Sequence, residues 1–170
     1  MSRHPLPCRV TSAATVSALL LVLLLATVAS SVSAAGFNAK HIRYVEWDKA
    51  LETGKRLDQP IMMVIHKSWC AACKQLRKKF EASPEIEVLA QHFVMANVED
   101  DDEPEDEKYS PQGGYSPRIM FLAPDGSVAD VINPHSDPAH LHFYGTAEEI
   151  VKGMLQALRI VKGITNVDDL

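Results

Sequence analysis

The feature that most constrains this chain is a pair of cysteines three residues apart, placed where a continuous apolar run gives way to a helical pattern. Ile61-Met-Met-Val-Ile65, preceded by Pro60 and followed by polar residues, has the composition of a strand buried on both faces. It runs into His66-Lys67-Ser68-Trp69-Cys70. From there Ala71, Ala72, Gln75, Leu76 and Lys78 favour a helix with Leu76 and Phe80 on one face and Lys74, Arg77, Lys78 and Lys79 toward water. Cys70 therefore stands at a predicted helix N-terminus. Unpaired backbone N–H groups and the positive end of the helix dipole favour a sulfur anion there, with His66, Lys67 and Lys74 close by in sequence. A bridge between Cys70 and Cys73 closes too small a loop to stabilise a fold appreciably. The pair reads as redox chemistry.

The first 35 residues read as a secretory leader. Arg3, His4 and Arg9 form a positive start, Ala18 to Ala29 is an apolar core too short for a comfortable membrane span, and Val32-Ser33-Ala34 supplies the small residues of a cleavage site. Cleavage removes Cys8, so an oxidising compartment receives a domain with just two cysteines, which is no disulfide framework. No stable membrane insertion is expected afterwards. The net charge of the 170-residue chain is -5, and the leader carries Arg3 and Arg9 but no acid, so the mature chain is more acidic still. With no basic patch, a nucleic-acid backbone is excluded as a partner. What remains suffices for one domain, and we assign 1–35 to the leader, 36–166 to the domain and 167–170 to a tail.

Around the cysteines, residues 44–59 carry apolar positions at helical spacing, with Gly54 as the expected stop. Ser83-Pro84-Glu85 has the order of an N-cap, a first-turn proline and an acid, opening a short helix through Ala90. Residues 93–98 form the next buried strand. Residues 99–107 hold eight acids in nine positions, with nothing nearby in sequence to neutralise them, and are expected to be a solvated loop, since they lack the glycine and terminal glutamate of a calcium loop. Arg118 to Leu122 is a further apolar strand, joined by Ala123-Pro124-Asp125-Gly126 to residues 128–132 in a predicted hairpin. A loop rich in proline and histidine, containing His135, His140 and His142, leads to Thr146, which caps a final amphipathic helix. Trp69 adjoins Cys70 and is assigned to the site, whereas Trp47, Phe80 and Phe93 are assigned to the core.

A buried strand entering Trp-Cys-x-x-Cys at a helix start, then Ser116-Pro117 before a later strand, a hairpin and a last helix, resembles the thioredoxin order over residues 38–162. His66-Lys-Ser-Trp-Cys-Ala-Ala-Cys-Lys74, the acidic loop, Gly-Gly-Tyr-Ser-Pro-Arg-Ile-Met-Phe-Leu and the leader resemble the anterior gradient group of small endoplasmic-reticulum proteins. The resemblance implies an α/β thioredoxin-like fold, a central mixed β-sheet flanked by helices, and a protein thiol–disulfide oxidoreductase. Its catalytic pair, a redox-active disulfide when oxidised, would be Cys70 as nucleophile and Cys73 as resolving thiol. Pro117 matches a cis proline facing the sulfurs, and Trp69, Ser116 and Pro117 would contact an extended client.

The implied partners are cysteine-containing secretory clients and glutathione or another oxidoreductase, with no cofactor, in the endoplasmic-reticulum lumen with partial secretion. The sequence departs from larger relatives at Val64, where a buried acid would serve proton transfer, and at Ala71 and Ala72, which replace a histidine or proline between the cysteines. Its end, Val167-Asp168-Asp169-Leu170, is read as a KDEL-like retention tail that keeps the final Leu and an acid but has Asp where Glu is expected. Two other functions fit the residues: soft-metal binding through the cysteines with His66 as a third ligand, and a client-binding adaptor without redox turnover.

Overall fold

The computed structural model describes Phe37 and residues 41–165; the stretches assigned to a leader (1–35) and a tail (167–170), and residues 36, 38–40 and 166 of the domain, lie outside the described residues. Four strands form one sheet: β1 (Tyr44–Glu46), β2 (Ile61–His66), β3 (Val94–Glu99) and β4 (Arg118–Leu122), in spatial order β1-β3-β2-β4. β1 and β2 both run parallel to β3, and β4 is antiparallel to β2. Helices α1 (Trp47–Leu57), α2 (Ala71–Glu81), α3 (Pro84–Ala90) and α4 (Ala147–Lys162) complete the mixed α/β architecture. Among the described residues no helix is long and apolar enough to cross a membrane.

Ile61 to Ile65 of β2 and Ile119 to Leu122 of β4 are apolar at every position because successive side chains enter different cores. Met62, Val64, Met95, Ile119 and Phe121 face one side, where Leu76 and Phe80 of α2, Ile86 and Leu89 of α3, and Ile150 and Met154 of α4 cover them. Ile61, Met63, Ile65, Ala96, Val98 and Met120 face the other, against Ala50 of α1 and Tyr109. Trp47, assigned to the core, is half-buried and meets Tyr109 edge to face at 5.1 Å between ring centres. Phe80 and Phe93 lie in the core itself.

Two local expectations are corrected. The helix expected over 44–59 begins only at Trp47, because residues 44–46 pair with Met95 to Asn97 as a short strand. Gly54 does not end it: the chain turns at Asp58, in the left-handed region at φ 51°, whose N–H bonds the Gly54 carbonyl. Gly54 is instead a contact glycine, since a Cβ there would lie 2.8 Å from the Ile61 side chain. The hairpin partner of β4 also reduces to a single bridge, Leu122 to Val128. Val131 N–H turns back onto the Ala129 carbonyl (2.8 Å), so the chain leaves the edge, and further along β4 the Ile119 N–H goes to the His142 carbonyl (2.9 Å). A late loop thus takes part of the place of an edge strand.

In α4, Gly153 lies against rigid rings: a Cβ would stand 2.9 Å from Tyr144 and 3.1 Å from Phe121. Alanine favours a helix over glycine by about 1 kcal/mol, but overpacking a close-packed core costs about 1–3 kcal/mol. Gly153→Ala is therefore expected to lower stability in denaturant unfolding. An unchanged or raised midpoint would mean the rings yield.

Candidate active site

β2 ends at His66, and a turn in which Cys70 N–H donates to the Lys67 carbonyl (3.1 Å) brings the chain to α2. Cys70 is the N-cap of that helix: its backbone is extended (φ -73°, ψ 120°) and its sulfur accepts the Cys73 N–H at 3.3 Å. An N-cap position normally taken by a serine or aspartate oxygen is here filled by sulfur, so an orphan donor of the first turn points at the Cys70 thiol. Cys70 is half-buried, Cys73 is 2% exposed, and both are free thiols.

Opposite them, Gly113, at φ 88°, turns the chain toward Tyr115 and the cis Ser116–Pro117 peptide that precedes β4. The Cys70 thiol faces the Ser116 carbonyl at 3.7 Å. The structure therefore brings Cys70, Cys73, Ser116 and Pro117 together, although 46 residues separate Cys70 from Ser116. Trp69 projects to solvent beside Cys70, 76% exposed. A cavity of about 410 Å³ opens beside Ser116, lined by Tyr115, His135, Asp137, His140 and Phe143.

The two sulfurs differ in chemistry as well as exposure. Burial pushes the Cys73 thiol up to about 12, and the hydrogen bond to Cys70 and its charge add to this, against a smaller opposing effect of hydrogen bonding to the Lys67 backbone. Cys73 is thus held as a protonated thiol behind Cys70. His66, the third ligand considered for a metal, is buried, shares a 2.8 Å hydrogen bond between Nε2 and Asn97 Oδ1, and meets Phe37 edge to face. His142 is not a free loop residue: it is 6% exposed, and desolvation lowers its pKa.

The acidic segment 99–107 was expected to be a solvated loop, and three of its acids depart from that: Glu99 ends β3 and stands 3.9 Å from His66 Nδ1, and Asp100 and Glu103 bind the cysteine segment. Asp100 Oδ1 accepts the Ser68 N–H at 2.8 Å, which holds its carboxyl below the usual range. Glu103 reaches Lys67 Nζ at 2.7 Å with one oxygen and Arg118 Nη2 with the other. Burial disfavours its ionised form, but the hydrogen bonds and charges of Lys67 and Arg118 outweigh that and lower its pKa. Sequence inspection missed Glu103 and Arg118. The available signal was an arginine opening an apolar strand, a residue rarely buried unless paired.

A family model described as thioredoxin-like matches residues 43–124. Anterior gradient protein 3 of Mus musculus is 32% identical over 161 residues, covering 86% of this chain and 96% of that protein. Anterior gradient protein 2 homolog of Homo sapiens is 32% identical over 117 residues, 68% of this chain and 66% of that protein. Among solved structures, DsbH oxidoreductase matches with a TM-score of 0.51 at 20% identity, covering 71% of this chain and 86% of that one. The first thioredoxin domain of mouse protein disulfide-isomerase A4 matches with a TM-score of 0.50 at 15% identity, covering 82% and 84%. These two likenesses speak to the fold. The sequence similarity extends over nearly the whole of a curated relative, and on that ground the chain belongs to the anterior gradient family of thioredoxin-like proteins.

Proposed function

We propose that this protein is a thiol–disulfide oxidoreductase of the secretory pathway, resident in the endoplasmic-reticulum lumen, that exchanges disulfides with cysteine-containing clients. The observation that carries the reading is the asymmetry of the pair: Cys70 is half-buried, caps α2 with its sulfur and faces the Ser116 carbonyl, whereas Cys73 is 2% exposed. Cys70 as thiolate attacks a client disulfide, forming a Cys70–client bond and expelling the other client sulfur as a thiolate. Cys73, once deprotonated, attacks the Cys70 sulfur, forming the Cys70–Cys73 disulfide and releasing the second client thiolate. Two electrons pass from the dithiol to the client. Two molecules of glutathione, becoming glutathione disulfide, or the dithiol of another oxidoreductase, becoming its disulfide, reduce the pair again, and client oxidation is the same sequence reversed. The extended client would lie along Ser116 and cis-Pro117, with exposed Trp69 at its flank. The leader read at residues 1–35 and membership of the family support the location.

Cys73→Ser is expected to accumulate client adducts through Cys70, since attack is preserved and release is lost, while Cys70→Ser traps almost none. Both variants are expressed through a secretory system, acid-quenched, alkylated and compared on gels with and without reductant. Equal adducts in the two variants would sink the reading. So would adducts absent from both while zinc copurifies with the unmodified protein, because a metal site loses one ligand with either sulfur.

A further inference from the structure

The two walls of the cysteine groove are far apart in sequence, and each carries a cation close to its functional residue. On one wall Lys67 precedes Cys70 and accepts its N–H through the Lys67 carbonyl. On the other, Arg118 follows Pro117; its side chain is fully buried, and its Nη1 donates to the Tyr115 carbonyl. Glu103, its side chain 19% exposed, meets both: one carboxylate oxygen takes Lys67 Nζ and the other takes Arg118 Nη2. Its neighbour Asp100 reinforces the same contact, accepting Lys67 Nζ through its carbonyl at 2.6 Å and the Ser68 N–H through its carboxylate. Asp100 does this from the left-handed region, at φ 49°, a conformation that aspartate tolerates better than most side chains. The remaining acids from Asp101 to Glu107 are exposed, so within the loop that follows β3 these two differ from the rest in what they touch.

We propose that Glu103 is a positioning residue: by binding Lys67 and Arg118 with its two carboxylate oxygens it fixes the Cys70 segment against the Ser116–Pro117 segment, and so sets the gap an extended client must enter. The client in this statement rests on the exchange activity proposed above. A carboxylate shared between two cations in a mostly dry setting is directional and stiff, because each oxygen has one short partner and little water to exchange it for. Loss of the bridge leaves Cys70 chemically intact at the start of α2. What changes is its placement relative to Ser116, and small misplacements of reacting groups lower rates steeply.

The test compares the unmodified protein with Glu103→Gln and with Glu105→Gln, a neighbouring exposed acid whose loss changes net charge equally. Three quantities are read: the rate at which iodoacetamide modifies Cys70, kcat/KM for reduction of a disulfide-bridged peptide, and amide hydrogen exchange across the domain. Glu103→Gln is expected to lower peptide kcat/KM by about tenfold. Alkylation by the small neutral reagent should change by less than about twofold. Amide exchange should accelerate at residues 67–70, Tyr115, Ser116 and Arg118 and not in the core of α4, and Glu105→Gln should leave all three readouts unchanged. Equal loss in alkylation and peptide reduction, equal effects of the two variants, or exchange accelerated uniformly or nowhere would overturn the proposal. If the unmodified protein reduces no peptide disulfide, the oxidoreductase reading fails, and local hydrogen exchange alone then decides whether Glu103 holds the two walls.

Discussion

In the reduced protein at pH 7, iodoacetamide is expected to modify Cys70 and leave Cys73 untouched, and resolution of a Cys70 mixed disulfide should accelerate about tenfold per pH unit between pH 6 and 8. The reason is the burial of Cys73. With its thiol pushed up to about 12, the thiolate fraction at neutral pH is of order one part in 10⁵, and only the thiolate attacks. Part of that elevation comes from the Cys70 sulfur, through its hydrogen bond and charge. Both contributions vanish when Cys70 enters a mixed disulfide, while desolvation by burial persists. Cys73 therefore becomes more acidic at the step that needs its anion, yet stays harder to ionise than a free thiol. Val64, buried at 0% exposure where larger relatives of this fold carry an acid, offers no proton acceptor. The measurement is quenched-flow decay of the Cys70 mixed disulfide with a small thiol, followed across pH. A flat profile would show that a base near Cys73 takes its proton, and comparable alkylation of both cysteines at pH 7 would contradict its burial.

Glu103→Ala is expected to cost about 3 kcal/mol, equivalent to a fall of about 10 °C in melting temperature for a domain of this size. The magnitude follows from the partner more than from Glu103 itself. Arg118 is 1% exposed and its Nε already has no hydrogen-bond partner among the described residues. Removing Glu103 strips the remaining carboxylate from a buried guanidinium, whereas the exposed Lys152–Glu148 pair on α4 would lose at most about 1 kcal/mol. Replacing both ends with apolar residues, Glu103→Leu with Arg118→Met, should recover most of the loss, because no uncompensated charge is then buried. The acid dependence has a definite sign. The Glu103 pKa is lowered from an ordinary value of 4.5, so its contribution is fully present above that value and fades as pH falls through the lower folded-state one. Unmodified protein and Glu103→Ala should converge in stability at strongly acid pH. A loss below about 1 kcal/mol at pH 7 would place the bridge with ordinary surface pairs.

What the sequence determined by itself was whatever depends on near neighbours. The apolar runs at 61–65 and 119–122 had to be strands, the first buried on both faces, because no amphipathic alternation offers one side to water. Ser83 caps α3 through the Ile86 N–H, and Thr146 caps α4 through the Glu149 N–H, since a cap needs only a side-chain oxygen and a donor three residues on. Cys70 at the start of α2 was legible for the same reason, and the resemblance carried the cis proline.

The tertiary structure decided what depends on residues distant in sequence. β1 is three residues long, too short to show a period, and becomes a strand only through its pairing with β3. Gly54 resembles a helix stop until Ile61 is seen packed against it. The expected last strand gives way to Val128 and the His142 carbonyl, because backbone groups at a sheet edge accept any correctly placed partner. The acidic loop shows the difference most plainly. Within residues 99–107 all the carboxylates look equally solvated in the sequence, but Glu103 finds Lys67 and Arg118, 36 and 15 residues away, only after the sheet has brought β2, β3 and β4 side by side. Charge pairing depends on distance in space, and in this chain the fold sets that distance.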